Sequence, residues 1–253
     1  MSRFRLIADQ RPYLFVMGLF LAETVLAFPF VALFRMLNLD IEALRLIIPT
    51  AQSIFMIWVV WKLDWLARAG FRLEVRDIHL YWYPVLLALV PVLAYGTIKI
   101  PAGPLAFYAA ALLFTGISEE TLARGVILPA LLKRGTWVAV LFAASLFSVS
   151  HLTNLFFSSP SAFAMTEVLV ATFGFAVLYG ALFIRTGNIL PLIVLHMLHD
   201  YFLVTSGTAG PFVVEALPAT LSIGLSALNT VYGAFILIRA PADPLQAPMS
   251  PTA

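Results

Sequence analysis

Runs of about twenty apolar residues follow one another along almost the whole chain, and they constrain it more than any other feature. A helix of that length crosses ~30 Å of hydrocarbon, where every backbone polar group must be satisfied within the protein. About eight runs are legible: Tyr13–Phe34, Leu46–Leu66, Tyr81–Ile98, Pro104–Leu132, Trp137–Leu152, Ala162–Ile184, Asn188–Val204 and Ala219–Ile238. The fourth is long enough to project from the bilayer, and the fifth and seventh are short, as helices flanking a polar site would be. Barrel strands alternate over ~10 residues, and these runs do not. The chain is 62% apolar and 11% charged, against roughly 45–50% and ~25% for soluble domains. The predicted fold class is therefore all-α, a polytopic membrane helix bundle of about eight transmembrane helices with a polar intramembrane cavity. One transmembrane domain spans residues 1–239, and the proline-bearing tail 240–253 reads as disordered.

Charge sets the expected orientation. With the N-terminus inside, cytoplasmic segments carry Arg3, Arg5, Arg11, Lys62, Arg68, Arg72, Arg76, Lys133, Arg134, Arg185 and Arg239, and the other side only Arg35, Arg45 and Lys99. That bias places both termini in the cytoplasm. Arg68–His79 is expected as a cytoplasmic or interfacial helix and loop. A net charge of +2 spread over short loops is a topology signal and not a nucleic-acid surface. With no cysteine, thiolate metal sites and cysteine nucleophiles are excluded. No repeat emerges to suggest an inverted-repeat transporter.

Ionisable residues inside such spans cost at least ~2.5 kcal/mol each on insertion scales and mark function by default. They are Glu23, Glu119, Glu120, Arg124, His151, Glu167, His196, His199 and Asp200. On a helix Glu120 and Arg124, four apart, can pair, while Glu119 points about 100° away. His196 and Asp200 are also four apart and share a face. At ~1.5 Å per residue, Glu119 and His151 lie about 21 Å from the cytoplasmic ends of their spans, Asp200 about 18 Å and His196 about 12 Å. One band of the membrane thus holds four polar residues from three helices, which a shared cavity explains. Glu23 and Glu167 lie apart from this group; either could line the cavity, and interhelical hydrogen bonding is the expectation.

A carboxylate and a histidine at one depth can hold a water, and the carboxylate can deprotonate it for attack on a carbonyl. His196 is placed to donate to the resulting oxyanion, and Asp200 to select the His196 tautomer or stabilise its imidazolium. Neither a Gly-x-Ser-x-Gly elbow nor a His-Glu-x-x-His helix is present. A metal held by His151, His196 and a glutamate shares this spacing, but catalytic water without a cofactor is the expectation. Two other readings stay open: a non-proteolytic membrane partner or immunity protein, and a proton-coupled transporter, since the same residue types build proton relays.

Glu119-Glu120-x-x-x-Arg124, Phe147-x-x-x-His151 and His196-x-x-x-Asp200, in that order, closely resemble the three motifs of the CPBP family. Those are intramembrane glutamic endopeptidases that include the type II CAAX prenyl proteases. The approach from Gly180 to Pro191 also resembles the family, and the likeness covers roughly Leu105–Phe202. The resemblance implies that Glu119 activates water, that His151 helps hold it, and that Glu120 and Arg124 support the site. It implies oxyanion stabilisation by His196, helped by the residue at 200. Relatives often carry Asn there, whereas this chain has Asp200, and an ionised Asp cannot donate a hydrogen bond. The implied substrate is a peptide or protein, membrane-associated and prenylated for the family's eukaryotic clients.

Overall fold

The computed structural model describes residues 3–97, 100–156, 160–206, 209–210, 213–214 and 219–240. The predicted tail lies outside them, apart from its first residue. Eleven α-helices are present among the described residues: α1 (Arg3–Gln10), α2 (Pro12–Val25), α3 (Ala27–Met36), α4 (Leu44–Leu63), α5 (Trp82–Tyr95), α6 (Ala102–Glu120), α7 (Leu128–Leu131), α8 (Thr136–Ser150), α9 (Ala162–Thr186), α10 (Leu190–Thr205) and α11 (Ala219–Ile238). Seven segments are long and apolar enough to span a membrane, and α10 is a shorter apolar helix. The all-α polytopic bundle is thus the fold, and the chain is an integral multi-pass membrane protein.

Three local features depart from the sequence reading. The first span is two helices, α2 and α3, joined through Leu26. The N-terminal residues add α1, which buries Ala8 and sets Phe4 against Phe15 at 5.5 Å. Arg68–His79 is not a helix until Ile78 but a run of turns and extended backbone.

At the centre α9 packs between α8 and α11, while α10 lies against α5 and α6, and α4 against α6. Interhelical hydroxyl bonds register these contacts: Ser226 donates to the Val170 carbonyl, Ser148 to Leu169 and Ser53 to Phe114. Between helices already surrounded by hydrocarbon, such bonds and close packing replace the hydrophobic drive.

The turn entering α10 is held by the loop after α4. Ser161 caps α9 at its start by accepting from the Ala164 N–H, and Gly187 ends it with φ +61°. Asn188 then accepts the Leu190 N–H at 3.0 Å and donates from Nδ2 to the Glu74 carbonyl at 2.7 Å. The Ile189 N–H donates to the Gly70 carbonyl at 2.9 Å. Tyr81 donates to Thr186 at 3.0 Å, and Arg185 pairs with Asp77 at 3.0 Å. Gly70 has φ +79°, and a Cβ there would sit 2.8 Å from the Gly187 carbonyl oxygen. Gly70→Ala is therefore expected to destabilise the protein by at least ~1–2 kcal/mol. Thermal unfolding of the purified protein in detergent checks this, as a lower Tm than the parent.

Candidate active site

The site begins with how closely α6 approaches α10. A Cβ added at Gly116 would lie 3.0 Å from the Ile193 carbonyl oxygen and 3.8 Å from the His196 Cβ. Only a residue without a side chain lets the two helices meet at this level, and one turn later Glu119 and Glu120 reach His196. Directly after Glu120 the helix loosens into a π-helical turn, Thr121–Ile127, whose seven residues are all buried. Its i→i+5 bonding winds more residues into each turn, a local distortion that recurs at functional sites.

Glu120 is wholly buried, and one of its oxygens does two jobs. Oε1 accepts from Arg124 Nη1 at 3.1 Å and lies 2.8 Å from His196 Nδ1. Arg124 also donates from Nη2 to the Ala176 carbonyl at 3.2 Å, and its guanidinium lies over Phe147 and Tyr179, 4.9 and 5.5 Å from their ring centres. A carboxylate paired with arginine can only accept, so His196 donates from Nδ1. Its Nε2 then faces two other carboxylates: Asp200 Oδ2 at 3.4 Å and Glu119 Oε2 at 3.6 Å. Accessibility separates the three acids, with side-chain exposures of 0% for Glu120, 31% for Glu119 and 29% for Asp200.

His151 ends α8 and is part-buried. Its Nδ1 lies 2.9 Å from the Phe147 carbonyl, which can only accept, so Nδ1 carries the proton and Nε2 is the free acceptor. Phe147 stands between the imidazoles, 5.3 Å from His151 and 6.0 Å from His196. The structure therefore gathers Glu119, Glu120, Arg124, His196 and Asp200 by direct contact and brings His151 beside them through Phe147.

Other residues had no warning in the sequence. Phe175 and Tyr179 of α9 close over His196 at 5.3 and 6.5 Å. Their spacing of four was the only signal, and apolar helices are full of such spacings. His199 turns away, 5.6 Å from Phe175 and with Nδ1 lacking a partner. An interhelical bond was expected of Glu167, yet among the described residues its Oε1 is buried without a partner. Two apolar cavities flank the site without being lined by its acids. One of about 740 Å³ lies between α4, α6 and α10, and one of about 680 Å³ between α8, α9 and α11. Among the described residues no three His, Asp or Glu side chains form a group arranged to hold a metal.

The segment that builds this site also matches a known family. Residues 101–202 fit the model described as type II CAAX prenyl endopeptidase Rce1-like. That segment is similar to the Rce1-like family. By that description the matched family is one of endopeptidases. No curated protein and no solved structure matches the chain. All the acids and imidazoles in contact with one another lie inside the Rce1-like segment.

Within that segment the Glu120–Arg124 pair is buried, with side-chain exposures of 0% and 2%. Removing Arg124 as Arg124→Ala strands a carboxylate in the interior, which typically costs ~3–5 kcal/mol. Arg124→Ala is expected to unfold well below the parent temperature in a detergent melt, and Arg124→Ala/Glu120→Leu to recover part of the loss.

Proposed function

We propose that the chain is an intramembrane endopeptidase in which Glu119 activates water, without a metal, to hydrolyse a peptide bond near the cytoplasmic half of the bilayer. Both termini then lie on the cytoplasmic side. The observation that carries this reading is the division of labour around His196. Glu120 holds its Nδ1, and the Nε2 edge faces the two accessible acids, Glu119 and Asp200.

In the proposed reaction a water sits between Glu119 and the free acceptor nitrogen of His151. As its oxygen bonds to the scissile carbonyl carbon, one water proton passes to the Glu119 carboxylate, and the carbonyl electron pair moves to oxygen. His196, protonated on both nitrogens, donates from Nε2 to that oxyanion. Asp200 lies beside Nε2 and stabilises the imidazolium as a charge partner, the role open to an ionised Asp. Collapse of the intermediate breaks the C–N bond, and Glu119 returns its proton to the leaving nitrogen. The products are a carboxylic acid and an amine, and Glu119 is a carboxylate again.

The apolar cavity beside Ile117 and Ile193 supports a substrate that reaches the site with a lipid or apolar segment. Ile117 is two residues before Glu119, and Ile193 three before His196. Purified protein incubated with matched prenylated and unmodified peptides, with and without chelator, tests the reading. Cleavage is expected to survive the chelator. Glu119→Ala and His151→Ala are each expected to lower turnover by at least ~10²-fold. Near-parental turnover by either folded variant refutes the assignment.

A further inference from the structure

A hydrogen bond fixes one atom of a ring and leaves its tilt free. His196 is held at Nδ1 by Glu120, and His151 at Nδ1 by the Phe147 carbonyl. Each imidazole therefore needs a second surface to fix its plane. Phe175 of α9 stands against the first ring and against the residue that carries the second. It meets His196 edge-to-face at 5.3 Å, with 69° between the planes, and lies close to parallel with Phe147 at 6.3 Å and 24°. Tyr179 backs it at 4.0 Å. These are the edge-to-face and offset arrangements that aromatic pairs prefer. Phe147 in turn holds His151 by its carbonyl and by its ring, 5.3 Å away. Among the described residues no ring contact joins Phe175 to His151 directly.

The backbone beneath Phe175 is pinned on either side. At Gly174, α9 presses against α11: a Cβ there would lie 2.9 Å from the Ser226 Cα. Ser226 also donates to the Val170 carbonyl at 2.6 Å. At Ala176, the carbonyl accepts from Arg124 Nη2 at 3.2 Å. Consecutive residues thus meet α11, the rings of the site and the π turn. A ring on so fixed a backbone, itself 8% exposed, has little room to change rotamer in a close-packed interior. Helix α11 lies beyond residues 101–202, so part of what holds the two imidazoles in register comes from outside the matched segment.

We infer that Phe175 is a positioning residue of this site, holding the plane of His196 directly and the place of His151 through Phe147. Its effect on rate rests on the endopeptidase reading. In that reaction Nε2 of His196 addresses the oxyanion and Nε2 of His151 the attacking water. An error in their separation misaligns both ends of the bond being made, and misplacement by about 1 Å can cost ~10²-fold in rate.

Two measurements test it. Phe175→Leu keeps an apolar side chain but removes the planar faces. Phe173→Leu, on the same helix but lining the cavity between α8, α9 and α11, is the control. The chain has four histidines, so their 13C-labelled rings give few NMR signals, and His151→Gln identifies the one from His151. In detergent at one fixed pH, Phe175→Leu is expected to shift or split the His151 signal, and Phe173→Leu to leave it in place. An unmoved His151 signal in Phe175→Leu, or an equal change in both variants, overturns the inference. This arm needs no substrate. In the second arm, Phe175→Leu is expected to lower kcat for peptide cleavage about tenfold or more, with KM near that of the parent. Phe175→Tyr, which keeps the ring, is expected to retain most of the rate. An unchanged kcat in Phe175→Leu, a loss carried by KM alone, or equal losses in the Leu and Tyr variants also overturns the inference. Should Phe175→Leu not fold, Phe175→Met, whose flexible side chain fills irregular gaps, replaces it in both arms. A parent protein that cleaves none of the peptides defeats the endopeptidase reading instead, and the histidine signals still decide the placement.

Discussion

One carboxylate oxygen organises the centre of this protein. Glu120 Oε1 receives both the Arg124 guanidinium and the His196 imidazole, and neither acid nor arginine reaches solvent. A buried charge is tolerable only when paired and hydrogen-bonded, and charge-assisted bonds are about twice as strong as neutral ones. Arg124 meets the first demand, and its second bond, to the Ala176 carbonyl, ties α9 to the same knot. His196 meets the second and brings α10. Three helices thus share one electrostatic junction, and the tautomer of His196 follows from it. Asp200, which sequence spacing offered as tautomer selector or imidazolium partner, lies at Nε2.

The π turn after Glu120 belongs to this arrangement. More residues per turn bring positions 120 and 124 closer to eclipsed than an α-helix would, so arginine and acid face α9 and α10 together. The turn also buries all seven of its residues, including Thr121, whose hydroxyl has no partner. The Glu120–Arg124–Ala176 contacts hold the start and the middle of this distortion.

The sequence made legible whatever depends on local spacing. Span lengths, the Glu120–Arg124 pairing and the shared face of His196 and Asp200 follow from helix periodicity and agree with the structure. Periodicity failed where hydrophobicity was saturated. Leu93 is 75% exposed and Val16 fully buried, yet nothing in the residue types distinguishes a lipid-facing from a core-facing position. Hence Phe175 and Tyr179, which enclose His196, could not be singled out. The break at Leu26, the helix α1 and the clamp of Gly70 on the Gly187–Asn188 turn are tertiary outcomes as well. Glu23 was visible as an anomaly, but spacing within one helix says nothing about which other helix it meets.

The clamp and the junction have a common consequence. Helix α10 is short, and its His196 lies about two turns from the clamped end at Asn188 and Ile189. Fixing the start of a short helix fixes the direction of the side chains in its first turns, while Glu120 fixes the imidazole itself. The accessible edge of His196 is therefore set from two sides that do not depend on each other. Glu119 and Asp200 lie on that edge, at 31% and 29% exposure, with Glu120 sealed behind it. The three carboxyl groups thus differ in surroundings, Glu120 Oε1 being held by Arg124 and His196 while Glu119 and Asp200 are partly exposed.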